Sequence, residues 1–138
     1  MSLKRFGVSM DELLLKKFDE LISEKNYKNR SEAIRDVIRE NLVCEEWKDE
    51  KGEKVGTVTL IYNHHKRGIS EKLNEIQHHM HEYIISSMHI HLDEENCLEV
   101  IVVKGNARKI IDIVNKLISL KGVKHGKFVM TTSGKEIV

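Results

Sequence analysis

The sequence predicts an α+β chain in two parts: a short strand followed by two helices, then a run of strands and helices in the order βαββαβ. Three observations carry this. Apolar residues recur at helical spacing before residue 43, as Leu14, Phe18, Leu21 and Ile22 and then as Ala33, Ile34, Val37, Ile38 and Leu42. Four runs with strand character, Val55 to Asn63, Ile84 to Leu92, Cys97 to Lys104 and Val123 to Thr132, alternate with two helical patterns. Between the parts lies CEEWKDEKGEK, residues 44–54, a charged stretch that carries Gly52.

The elements follow in order. Leu3 to Ser9 alternates, with Arg5, Gly7 and Ser9 on one face of a brief strand and Phe6 and Val8 on the other. Ser9-Met10-Asp11-Glu12 matches a capping box with Ser9 as the cap, and a helix then runs to about Asn26. Asn29-Arg30-Ser31 starts a second helix. One strand and two short helices cannot bury an adequate core, and a lone strand leaves both edges unpaired. Pairing with the same strand of a second chain resolves both, as an antiparallel ribbon over four interlocked helices. The expected division is residues 1–45, a linker 46–54 with Trp47 docking at a domain surface, and residues 55–138. Cys44, at a helix end, reads as a packing residue.

In the second part the helices are expected at about Ile69 to Tyr83 and Ala107 to Leu120. Gly105-Asn106 and Lys121-Gly122 punctuate the latter. A βαββαβ order is ferredoxin-like.

Composition narrows the function. The chain has 138 residues, 40% apolar and 33% charged, with a net charge of +1, which suits a soluble protein with no overall electrostatic commitment to nucleic acid. No membrane span or signal-peptide pattern is visible, so a cytoplasmic location is expected. Cys44 and Cys97 form no CxxC pair, and a disulfide between them is not expected. No paired carboxylates or nucleophile–base arrangement argues for an enzyme.

Seven of the eight histidines fall between His64 and His91. In HIHLDEENC, residues 89–97, His89 and His91 share a strand face, Asp93-Glu94-Glu95-Asn96 are turn formers, and a hairpin returns Cys97 beside them. Two imidazoles and a thiol converging on one point suit a transition metal. Taken singly, each residue is more often a surface histidine or a small core hydrophobe. A second cluster, Gln77-His78-His79-Met80-His81, could supply the further donor a four-coordinate site needs.

Two groups of residues carry a resemblance that spans nearly the whole chain. Asn29-Arg30-Ser31-Glu32-Ala33-Ile34-Arg35-Asp36 resembles a ribbon-helix-helix DNA-binding domain. HIHLDEENC, QHHMH and Leu120-Lys121-Gly122-Val123-Lys124-His125-Gly126 resemble the ACT-like metal domain of the nickel-responsive regulators, NikR. The resemblance implies Ni(II), one per chain, in a square plane of three imidazole nitrogens and one thiolate. The matching residues are His89, His91 and Cys97 of one chain, with His78 supplied from a neighbouring subunit. Square-planar N/S coordination suits Ni(II) or Cu(II), and a thiolate ligand makes affinity fall in acid. His64, His79 and His81 are candidates for a second metal, although exposed histidines in such a run are more often solvated. His125 reads as a structural or surface histidine.

The resemblance further implies a homotetramer, a dimer of dimers, that binds a double-stranded operator with an inverted repeat and represses nickel uptake. The ribbon face Arg5, Gly7 and Ser9 would read bases in the major groove. The family has a hydroxyl residue where this chain has Gly7, so readout rests more on Arg5 and Ser9. Lys28, Arg30 and the amides near Ser31 would meet phosphates. Through Val43 there are nine Lys and Arg against eight Asp and Glu, so non-specific DNA affinity should be modest and salt dependent. Glu32 and Asp36 match an auxiliary cation site and serve equally well as ordinary helix-surface residues. A sensor of another transition metal, or an ACT-type regulator sensing an amino acid, remains the alternative reading.

Overall fold

The computed structural model describes residues 2–138, and the chain divides into two compact units at residues 40/41.

In the first unit α1 spans Glu12–Glu24 and α2 begins at Arg30 and runs to Glu46. The cap of α1 is Asp11, not the expected Ser9: the Asp11 carboxylate accepts the amides of Leu13 and Leu14 at 2.9 and 3.3 Å. A carboxylate at the cap also carries charge that the positive helix end favours. Lys25 closes the helix and Asn26 turns the chain with φ of 63°, a left-handed conformation that asparagine tolerates. Asn29 starts α2 as expected, its side-chain oxygen accepting the Glu32 amide at 2.9 Å. Arg30 reaches back to α1 in a two-bond pair with Asp19 at 2.9 and 2.8 Å, and Tyr27 donates to Asp36 at 2.8 Å.

Residues 2–10 form no strand within this chain. A strand is defined by ladder hydrogen bonds, and no strand among the described residues pairs with this segment. The unit buries Ile22 and Ala33 and leaves Phe6, Val8, Leu14, Leu21, Val37 and Ile38 exposed.

The second unit takes over within α2. Helix α2 continues through Cys44, Glu45 and Glu46, where a linker was expected to begin. No glycine or proline interrupts it before Gly52, and Val43 and Trp47, four apart, turn toward the same core. Trp47 is more than docked: it is buried, its indole N–H donates to the Thr131 carbonyl at 2.9 Å, and its ring meets Phe128 edge-on at 5.5 Å. Cys44 is exposed rather than packed, because it lies off the Val43–Trp47 stripe.

The remaining elements are β1 (Lys54–Asn63), α3 (Ile69–His79), β2 (Ile84–His91), β3 (Asn96–Gly105), α4 (Ala107–Ile118) and β4 (Val123–Thr131). They form one antiparallel sheet in the order β2-β3-β1-β4, the ferredoxin-like arrangement expected. Helix α3 ends four residues early: Met80 caps it, and Tyr83 and Ile84 both return their amides to the Met80 carbonyl. His81 therefore sits in a turn beyond the helix that carries His78 and His79.

Alternation along β1 and β3 sorts the sheet into two faces. One face, with Val58, Leu60, Ile101 and Val103, is sealed by Ile69 and Leu73 of α3 and by Ile110, Ile113, Val114 and Leu117 of α4. The other carries Met88, Ile90, Leu98, Val100 and Val102, partly or largely exposed. Among the described residues no helix is long and apolar enough to cross a membrane.

Candidate metal centre

The hairpin between β2 and β3 fixes the first pair of donors. Asp93 staples the turn, its carboxylate accepting the amides of Glu95 and Asn96 at 2.8 and 2.7 Å and the Asn96 side-chain amide. Those bonds hold the Asp93 carboxyl down at about 2. Lys124 donates to the Asn96 side-chain oxygen at 2.6 Å, tying the turn to β4. In the resulting register His91 faces Cys97 and His89 faces Glu99.

Cys97 is buried, with its sulfur 3.4 Å from His91 Nδ1. Burial, with the charges of Glu99 and Asp93 next, pushes its thiol above the ordinary range. A metal must therefore displace a proton to gain the thiolate. The third atom of the cluster belongs to His64, whose Nδ1 lies 3.1 Å from the sulfur. The ligand atoms of His64, His91 and Cys97 all lie within 4.8 Å of one another.

The path of the chain explains why His64 arrives there. Tyr62 pairs with Cys97 across β1 and β3, so the residues that follow β1 emerge beside the turn. The His64 amide donates to the Glu95 carbonyl at 3.0 Å, and His65 Nε2 lies 2.8 Å from the Glu94 carbonyl. Burial first, and then the neighbouring His65, His91 and His89, push the His64 imidazole below its ordinary value. That favours the neutral ring, the form that can ligate.

His89 stands beside this cluster without joining it. Its ring centre is 5.0 Å from that of His91, but its Nδ1 lies 3.0 Å from the Tyr62 hydroxyl and 3.9 Å from a Glu99 carboxylate oxygen. Glu99 is buried and takes a hydrogen bond from Gln77 of α3 at 3.3 Å. Burial raises the Glu99 carboxyl, while Gln77 and His89 pull it down. The Tyr62 hydroxyl is raised by its burial, with the Glu99 and Cys97 charges adding. Sequence reasoning missed Tyr62, Gln77 and Glu99. The available signal was Glu99 itself, a charged residue in the inward phase of Cys97, Glu99, Ile101 and Val103.

His78 is exposed near the end of α3, in ring contact with His79 and His81 at centroid distances of 6.1 and 6.5 Å. Among the described residues the close donor group is His64, His91 and Cys97, and His78 is not part of it. His125 lies on the exposed face of β4 opposite Ile61.

Of the DNA-contact candidates, Arg5, Gly7, Ser9 and Lys28 are exposed, and a side chain at Gly7 would meet open space. Arg30 is held by Asp19, and one amide of the α2 start is taken by Asn29. Asp36 already accepts from Tyr27 and Arg39, which leaves Glu32 as the less committed of the two auxiliary-cation candidates.

An inward thiol, two imidazole nitrogens and an adjacent third imidazole form a soft-donor set suited to a transition ion. With two helices led by an unpaired segment, this describes a metal-responsive DNA-binding regulator, and comparison with known proteins agrees. Residues 55–131 match the model of the NikR C-terminal nickel binding domain, and residues 4–43 match the ribbon-helix-helix protein, copG family. A protein of Geotalea uraniireducens that bears the name nickel-responsive regulator is 59% identical over 96% of both chains. One of the same name from Thermococcus onnurineus is 54% identical over the full length of both. Among solved structures, an uncharacterized Thermotoga maritima protein superposes with a TM-score of 0.53 at 21% identity, over 59% of this chain and all of that one; this likeness concerns the fold alone. The chain belongs to the nickel-responsive regulators. It joins a ribbon-helix-helix DNA-binding domain to a nickel-binding domain, and it is a regulator rather than an enzyme.

Proposed function

We propose that this chain is a nickel-dependent repressor of nickel uptake that acts in the cytoplasm as a dimer of dimers. In this reading residues 1–45 bind DNA, 46–54 connect, and 55–138 bind metal and build the tetramer. His89, His91 and Cys97 of one chain, completed by the partner subunit's His78, hold one Ni(II) per chain. The cross-strand pairing of His91 with Cys97 carries the reading, since it sets an imidazole and a thiol side by side. His89 joins them if its ring presents Nε2 while Nδ1 stays with Tyr62. When bound, Ni(II) supplies a bond between chains.

The exposed apolar sheet face around Met88, Ile90 and Val100 supports self-association in the second unit, and exposed Phe6, Val8 and Leu14 support it in the first. Two copies of residues 3–9 then pair as a ribbon whose Arg5, Gly7 and Ser9 face the major groove, with Lys28, Arg30 and Ser31 toward phosphates. Each dimer meets half of an inverted repeat. The coupling equals the difference in nickel affinity between the DNA-competent and incompetent arrangements. Glu32 and Asp36 are assigned to an auxiliary cation, and His79 and His81 to a second metal at high concentration.

The test is an absorption titration of the reduced protein with Ni(II), followed by selection from a random duplex pool. A saturating thiolate-to-metal band in the near ultraviolet, and enrichment of an inverted repeat only with nickel, are expected. Cys97→Ala should lose both. Nickel-dependent enrichment that survives in Cys97→Ala would refute the proposal.

A further inference from the structure

We infer that Asp19 is a positioning residue for DNA: its carboxylate grips one edge of the Arg30 guanidinium and leaves the other edge fixed and open for a backbone phosphate. This rests on the reading above in which Arg30 meets the duplex backbone. It adds a residue that itself touches no DNA.

The pair is bidentate. Arg30 Nε donates to one carboxylate oxygen of Asp19 at 2.9 Å, and Nη2 donates to the other at 2.8 Å. A guanidinium carries five N–H donors in one rigid plane, and this side-on grip uses two of them. Nη1 and the second hydrogen of Nη2 form the end of the fork, and no partner among the described residues engages them. That end can take a second two-bond acceptor while the first stays in place. The Arg30 side chain is 56% exposed, so a phosphate can reach it.

The chain around the pair is braced as well. Arg30 opens α2 and Asp19 lies within α1, so the pair ties the two helices across the turn between them. Tyr27 ties the same turn to α2 through Asp36 at 2.8 Å, and Asn29 caps the helix start. The hydrogen bond from Arg30 lowers the Asp19 carboxyl, and the same bond raises the guanidinium, so the pair stays charged. An unrestrained arginine loses rotamer freedom when it binds a phosphate, whereas one gripped by Asp19 has already lost it on folding. Charge acts the other way, because the Asp19 carboxylate repels phosphate. The two effects therefore have opposite signs when Asp19 is neutralised. With Arg30 absent, only the charge effect is left.

A double-mutant cycle separates them. The full-length protein with Ni(II), Asp19→Asn, Arg30→Gln and the double variant are each titrated with a fluorescent duplex of mixed sequence at several salt concentrations. Circular dichroism checks the fold. Arg30→Gln is expected to weaken binding and reduce the salt slope by about one. Asp19→Asn should weaken binding roughly twofold to tenfold, the ordering cost of one long side chain, although it removes a negative charge. In the Arg30→Gln background the same substitution should tighten binding or leave it unchanged. Equal effects of Asp19→Asn in both backgrounds would overturn the inference and leave the Arg30 contact standing. Greater tightening in the native background would also overturn it, and would make Asp19 a competitor of phosphate. An Arg30→Gln variant with native affinity and slope overturns the phosphate contact and the inference together, as does a native protein that binds no duplex. Should Asp19→Asn fail to fold, NMR of the native chain decides. The Arg30 Nε–H should stay protected from solvent exchange when the duplex is added, and loss of that protection rejects the inference.

Discussion

Tyr62 and His89 are hydrogen-bond partners across two strands, the hydroxyl 3.0 Å from Nδ1, with the rings edge-on at 5.9 Å. The bond engages Nδ1 and leaves Nε2 of His89 as the nitrogen the proposed nickel site would use. Tyr62→Phe keeps the ring and removes the oxygen. Nickel affinity should fall by roughly 10–100-fold, as for other outer partners of ligating histidines, with the thiolate band retained. An unchanged affinity, measured by competition with a chelator, would mean that the bond does not orient the ligand.

Asp93→Ala removes the staple of the β2–β3 turn and with it four hydrogen bonds. The His91–Cys97 register should loosen. Faster amide exchange at Glu95 and Asn96 is expected, together with weaker nickel binding on the order of tenfold. Asp93→Asn, which keeps an acceptor oxygen, should lose less.

Gly56 lies buried on β1 against Phe128. A Cβ there would come within 2.5 Å of the Phe128 ring and 2.9 Å of the Val129 carbonyl. The carbonyl belongs to the neighbouring strand and cannot swing away. Gly56→Ala should cost about 1–3 kcal/mol by overpacking, read as an earlier urea midpoint with tryptophan fluorescence from Trp47, whose ring packs on Phe128.

The first unit should lose part of its protection in acid. Hydrogen bonding and charge from Arg30 hold the Asp19 carboxyl below its ordinary value near 3.8, and bonds from Tyr27 and Arg39 do the same for Asp36. A carboxyl depressed by folding contributes its stability above the unfolded value and loses it as pH falls toward the folded one. Amide-exchange protection in α1 and the start of α2 should therefore hold above about pH 4 and drop below it. Asp19→Asn should flatten part of that drop at low ionic strength; an unaltered profile would remove the Asp19–Arg30 pair from the account.

Much of the fold was legible: β1 and β3 are runs rich in β-branched and apolar residues bounded by turn formers, and α4 carries apolar residues at helical spacing. The His91–Cys97 pair was legible too, since a turn of known chemistry fixes where the second strand begins. Three features were not. A cap can be Ser9 or Asp11 in the same tetrapeptide, and only the path of the backbone chooses. The continuation of α2 to Glu46 is set by Val43 and Trp47 meeting a sheet that starts later in the chain. His64 and Tyr62 come to the metal centre through strand pairing at long range, which local spacing does not encode.

Hydrogen bonds of Asp93, Asn96 and Lys124 brace the hairpin that carries His91 and Cys97. Preorganisation of this kind moves the entropic cost of capture. If His91 and Cys97 ligate as proposed, these two donors would spend little on ordering. In the proposed nickel site the hairpin would thus be the part whose geometry its own strands and turn supply, and the ordering cost would fall on the donors that reach it from elsewhere.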